Sequence, residues 1–183
     1  MSAKCSVFIA TSLDGYISRS DGSIDWLLDA NNNVPVGEDC GYSQFMADVD
    51  AIIMGRNTFE QVLSFDPWPY ESKPVVVLSQ RGIAIPSNIS SSVSVSNEEP
   101  SQLIDRLSLQ GIKNIYVDGG LTIQSFFAAG LIDKITITVI PVLLGSGKSL
   151  FGSLSKDIHL EHENTTTFDF GFVQNRYRVI QST

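Results

Sequence analysis

The sequence is poor in the residues that build metal and disulfide sites. It holds two cysteines, Cys5 and Cys40, and two histidines, His159 and His162. Two thiols are too few for a disulfide framework, and a chain kept reduced in the cytoplasm is the simpler expectation. The histidines sit three apart on a stretch that reads as a strand, so they point to opposite faces, and no metal is expected. Positive charge is short as well: 12 basic residues stand against 20 acidic ones, for a net charge of −8. That balance argues against general binding to nucleic acid or an anionic membrane. An anionic ligand would have to be held by local cations and backbone amides. Long apolar runs are also missing. The first, residues 7–10, stops at Thr11-Ser12, so neither a signal peptide nor a membrane span is expected. The remainder, 43% hydrophobic and 17% charged over 183 residues, fits a single domain spanning 1–183 with a full core.

What is present is organised around residues 49–60. Ala51, Ile52, Ile53 and Met54 form a short apolar run suited to a strand buried on both faces. Gly55 breaks it, and Arg56-Asn57-Thr58 opens a helix predicted to reach Leu63. A strand that ends in glycine before a helix leaves amides and the positive end of a helix dipole free for a phosphate, and Arg56 adds a cation. Asn57 or Thr58 acting as a plain helix cap is the alternative.

The rest of the chain follows in order. Residues 4–13 read as the first strand, closed by the Asp14-Gly15 turn. Residues 16–26 read as a polar loop whose Ile17 and Trp26 either cover a site or close the edge of the core. Asn31-Asn32-Asn33 continues as loop. Residues 39–48 predict a short helix with Tyr42, Phe45, Met46 and Val49 on one face and Asp39 at its start. A stiff aromatic loop from Phe65 to Tyr70 precedes a second buried strand over 74–78, which ends in Ser79-Gln80-Arg81. A short edge strand within 87–97 and a helix from Glu98 to Gln110, stopped by Gly111, come next. A third buried strand over 112–117 ends in Asp118-Gly119-Gly120 and a helix over 121–129. Residues 132–144 read as a long strand, 144–150 as a Gly/Ser loop, and 159–167 with 172–180 as a closing hairpin. The pattern predicts an α/β sheet with antiparallel additions at one edge.

Three buried strands thus end in Gly55-Arg56-Asn57-Thr58, Ser79-Gln80-Arg81 and Gly119-Gly120. Ligands of open α/β sheets bind outside the carboxyl ends of strands, and two phosphate seats beside a cationic third outlet suit a dinucleotide. An extra ribose phosphate has Arg56, Ser79 and Arg81 within the same set. Gly145-Ser146-Gly147-Lys148-Ser149 is dismissed as a P-loop, because Val142 occupies the position of its first glycine.

Five ordered stretches carry a resemblance: Ser12-Leu13-Asp14-Gly15-Tyr16-Ile17, Asp25-Trp26-Leu27, Met54 through Glu60, Asp118-Gly119-Gly120, and Pro141 through Gly147. The chain resembles the dihydrofolate reductase-like superfamily, in particular the reductase domains of riboflavin biosynthesis. The resemblance implies a mixed, mostly parallel central sheet flanked by helices, with an antiparallel C-terminal hairpin. It implies an NADPH-dependent reductase acting on a small-molecule substrate, nominally of the 5-amino-6-(5-phosphoribosylamino)uracil reductase type. A dihydrofolate, pterin or general carbonyl/imine reductase is the runner-up, and a non-catalytic NADPH-binding protein the third reading. By the same resemblance Gly55, Arg56, Thr58, Ser79 and Arg81 serve the adenosine side of the cofactor. Gly119, Gly120, Thr122 and Ile123 hold the pyrophosphate, Ala10 and Ile17 flank the nicotinamide, and Trp26 lies near the substrate.

Asp39 falls where folate reductases keep an acidic residue. Walled by Trp26, Tyr42 and Phe45, it would have a raised pKa and could organise protonation, a reading that competes with the helix cap. The departures concern the substrate: Tyr42-Ser43-Gln44-Phe45 replaces a helix bearing His and Arg, so a flatter, less charged substrate than a phosphoribosyl compound is easier to accommodate. A homodimer is expected by the same resemblance, with residues 132–144 and the closing hairpin as either its surface or part of the intramolecular core.

Overall fold

A computed structural model describes residues 2–180. In chain order its elements are β1 (Lys4–Ser12), β2 (Tyr16–Ser18), α1 (Asp25–Asn31), α2 (Tyr42–Ala47), β3 (Ala51–Gly55), α3 (Arg56–Val62), β4 (Val75–Leu78) and β5 (Val93–Ser96). They continue with α4 (Pro100–Leu109), β6 (Asn114–Asp118), α5 (Gly120–Ala128), β7 (Ile132–Ile140), β8 (Lys148–Ser149), β9 (Leu160–Thr167) and β10 (Val173–Val179).

Eight strands form one sheet in the order β5-β4-β3-β6-β1-β7-β10-β9, while β2 and β8 form a separate small ribbon. All pairings from β5 across to β7 are parallel, and β10 pairs antiparallel with both β7 and β9. The expected α/β fold, with an antiparallel hairpin at the end of a mostly parallel sheet, is therefore present.

The sheet is buried on both faces because its central strands carry apolar residues at successive positions. On one face Cys5, Val7, Ile53, Val76, Ile115 and Val117 pack beneath Leu103, Ile104 and Leu107 of α4 and Ile123, Phe126 and Phe127 of α5. On the other, Ile52, Met54, Val75, Val77 and Tyr116 pack beneath Met46 of α2 and Phe59 and Val62 of α3. Trp26 of α1, Ile140 and Phe172 close the same side as a smaller cluster.

Several local expectations are corrected. Residues 16–26 are not one loop: Tyr16–Ser18 is a strand, and Trp26 stands on helix α1, which also takes in Asn31. Helix α2 starts at Tyr42, three residues after Asp39. Within the Gly/Ser segment, Lys148–Ser149 pairs with β2, and no helix follows it, unlike a P-loop. Strand β7 lies between β1 and β10 in the sheet, with Ile132, Ile135 and Ile140 buried and Ile137 and Val139 partly exposed.

Candidate active site

Strands β4, β3 and β6 are neighbours, and their carboxyl ends stand level. Gly55 pairs with Leu78 on one side, and Met54 pairs with Asp118 on the other. The Ser79 amide then donates to the Ser96 carbonyl at 2.9 Å, which brings the end of β5 alongside. The three outlets read from the sequence therefore converge.

Contact at the junction is close enough to require glycine. Gly119 has φ +93°, and a Cβ there would lie 2.3 Å from Thr58 Oγ1 and 3.7 Å from the Gly55 amide nitrogen. A Cβ on Gly55 would come 2.9 Å from Thr122 Oγ1, and one on Gly120 would come 2.8 Å from Ile17 Cδ1. Gly55, Thr58, Gly119, Gly120, Thr122 and Ile17 thus form one cradle in which backbone replaces side chains. Gly55 and Gly119 are the N-caps of α3 and α5, and neither helix start is closed by a side-chain cap. Asn57 and Thr58 are therefore not caps. The leading amides of α5, from Gly120, Leu121 and Thr122, face the cradle end without helical partners. The Ile123 amide donates to the Gly119 carbonyl at 2.8 Å, and its side chain is fully buried in the core.

The cationic side is more committed than expected. Arg56 Nε already donates to Glu60 Oε1 at 2.6 Å, with both side chains about half exposed. The Ser79 hydroxyl donates to the Arg81 carbonyl and accepts the Arg81 amide, folding that outlet into a tight turn that leaves the Arg81 side chain exposed.

Asp39 is a correction. It is exposed, its Oδ2 accepts the Ser43 amide at 2.8 Å, and its Oδ1 accepts the Gly41 amide at 2.9 Å. Hydrogen bonds from the Ser43 hydroxyl and amide, then from Gly41, lower its pKa where a raised one was expected. It closes the start of α2 and is not enclosed by aromatic rings.

The acid at this junction is Asp118, which the sequence offers only as the first letter of its glycine motif. It follows Tyr116 by two on β6, so both point to the face beneath α2. Burial drives its pKa up to about 6, with the Gly119 amide at 2.8 Å and Tyr116 only partly offsetting the loss of water. Part of its surface nonetheless stays open. Tyr116, whose hydroxyl donates to the Phe8 carbonyl at 3.1 Å, meets Phe45 edge-on with ring centres 5.2 Å apart. Tyr42 and Phe45 both pack on Phe8. Ala10 lies two residues beyond Phe8 on the same face and packs with Trp26. Trp26 is buried, and its indole N–H has no hydrogen-bond partner among the described residues. A glycine cradle thus adjoins a largely buried carboxyl under an aromatic wall.

Known proteins share the family and the fold. Residues 3–174 match the RibD C-terminal domain. The chain is 38% identical over 171 residues to YwjB of Bacillus subtilis strain 168, covering 92% of this chain and 94% of that one. It superposes on the crystal structure of a Shewanella sp. PV-4 protein named for riboflavin biosynthesis, with TM-score 0.89, 40% identity, and coverage of 98% and 99% of the two chains. Acinetobacter baumannii RibD shares the fold at TM-score 0.74 and 20% identity, with 98% of this chain matching 59% of that one. The chain belongs to the RibD C-terminal domain family of the dihydrofolate reductase-like superfamily.

Proposed function

We propose that this protein is an NADPH-dependent reductase that delivers hydride to a C=N or C=O carbon of a small planar heterocycle. The observation that carries this reading is the Gly119–Thr58–Gly55 cradle at three adjoining strand ends, with the Asp118 carboxyl immediately before it. The uncapped amides at the start of α5 fit a pyrophosphate, and the close packing of Gly55 and Gly119 sets two helix starts side by side, so the residues present suit a dinucleotide. When bound, NADPH supplies the hydride from C4 of its nicotinamide ring.

The protein's part is alignment, exclusion of water and proton delivery. Amides of Gly120, Leu121 and Thr122 hold the pyrophosphate, with Gly55 and Thr58 beside them. Arg56, Ser79 and Arg81 serve the adenosine side, Arg56 by exchanging Glu60 for the ribose phosphate. Ala10 and Ile17 bracket the nicotinamide. Asp118, with a pKa of about 6, is protonated in a useful fraction near neutrality and passes that proton to the substrate nitrogen or oxygen as hydride reaches carbon. Trp26 packs behind Ala10 and shapes the substrate side from within the core.

The aromatic wall of Phe8, Tyr42, Phe45 and Tyr116 favours a flat ring, and α2 carries no Lys or Arg for a substrate phosphate. An uncharged aminopyrimidine or pterin therefore suits the cleft better than a phosphoribosyl compound. The test is nicotinamide fluorescence titration with NADPH, followed by NADPH oxidation assays on aminouracils, pterins and cyclic imines. Failure to take up NADPH would overturn the reading; uptake without oxidation by any of the three classes would leave a binding protein in its place.

A further inference from the structure

One side chain ties together the two segments that reach over the start of α5. Asp14 Oδ1 accepts the Ser12 hydroxyl at 2.6 Å and the Leu144 amide at 3.1 Å, and Oδ2 accepts the Gly145 amide at 2.7 Å. The Ser12 hydroxyl in turn accepts the Tyr16 amide at 3.0 Å. Among the described residues no backbone carbonyl takes the amides of Leu144 and Gly145, so this carboxylate is what holds them.

Either side of the knot, backbone bonds join the same segments: the Leu13 amide to the Val142 carbonyl at 2.8 Å, and the Leu150 amide to the Gly15 carbonyl at 3.0 Å. Both segments finish at the cradle. From the place a Cβ of Gly120 would occupy, Ile17 Cδ1 is 2.8 Å away and the Ser149 carbonyl oxygen 3.7 Å. Gln124 of α5 also donates to the Ser149 carbonyl at 3.0 Å. A carboxylate suits the knot because it only accepts, and three donors converge on it; a carboxamide would turn an NH₂ toward one of them.

We propose that Asp14 is a positioning residue: by fastening residues 142–150 to the turn after β1, it holds Ile17 and Ser149 as one wall over the α5 start and sets how long the reduced dinucleotide stays bound. The proposal rests on the cofactor reading above. Its chemistry is local, since each bond to the carboxylate is charge-assisted.

The experiment compares wild type with Asp14→Asn and Asp14→Ala by stopped-flow release of NADPH and by amide hydrogen exchange at Leu144 and Gly145. The expected result is release faster by about tenfold, the equivalent of one charge-assisted bond. Exchange at both amides rises in step with the faster release. Should the alanine variant fail to fold, the asparagine variant carries the same readouts. Unchanged release overturns the proposal even where exchange rises, because the knot would then be structural only. A wild-type protein that takes up no NADPH overturns the cofactor reading instead, and exchange measured without cofactor still reports whether the knot exists.

Discussion

Asp118 shows how position creates chemistry at the scale of one residue. Its folded pKa is raised from the usual 3.8 to about 6, so the native state binds a proton that the unfolded chain releases. Stability is therefore lost as pH rises through that window, and the deficit persists at higher pH. Asp118→Asn should stabilise the protein at pH 7.5 by about 1–3 kcal/mol and give no gain near pH 3.5, checked by urea unfolding at the two pH values. The same variant should lower turnover by about 10²–10⁴-fold if the proton comes from this carboxyl. Wild-type kcat/KM should then decline on the alkaline side of the Asp118 pKa; a flat profile would assign the proton elsewhere. At the neighbouring position, Gly119→Ala meets both the left-handed backbone and the Thr58 hydroxyl, 2.3 Å from the new Cβ. Its expected cost is about 1–3 kcal/mol, seen as a lower Tm, together with loss of NADPH binding.

Among the elements, the two short helices that flank the site are held at their starts in opposite ways. Helix α2 is closed by Asp39, so Asp39→Ala should cost about 1 kcal/mol in thermal unfolding. Asp39→Asn keeps an acceptor and should cost less. Turnover should be unchanged in the asparagine variant; a large drop would restore a chemical role for Asp39. Helix α3 begins at an uncapped glycine with Arg56 on Glu60. Arg56→Ala should weaken NADPH by about tenfold and NADH little, read from paired titrations; equal losses would remove its part in choosing the cofactor. The central strands were legible because apolar runs between glycine and proline leave few alternatives, and the three polar outlets could be read at their ends. Helix α1 was not: it buries only Trp26, has no side-chain cap, and follows Asp21-Gly22, which reads as loop. The β2–β8 ribbon is fixed by pairing across 130 residues, which no local pattern encodes. Asp118 was missed for a similar reason, since its pKa comes from burial among elements distant in sequence. Asp39 was misread because counting along the chain gives no information on which way a carboxylate turns.

At the scale of the whole molecule, a protein of net charge −8 has to admit a ligand that is itself strongly anionic. Its cations do little to reverse the field at a distance. Lys4, Arg19, Arg56, Arg106, Lys134 and Arg178 all pair with a neighbouring carboxylate, so half of the 12 basic residues are neutralised where they stand. Attraction is left to groups that act over a few ångströms, the α5 amides and an Arg56 released from Glu60, whereas repulsion acts over the Debye length. The two ranges respond differently to salt. Raising ionic strength from about 10 to about 150 mM shortens that length from roughly 30 to 8 Å, which screens the approach while leaving contacts inside the cradle nearly intact. The association rate constant for NADPH should therefore rise by about twofold or more over that interval, with the dissociation rate changing less. Stopped-flow binding at the two salt concentrations decides the matter. A falling association rate would mean that the cradle projects a positive field beyond its rim, strong enough to steer the cofactor against the charge of the molecule as a whole.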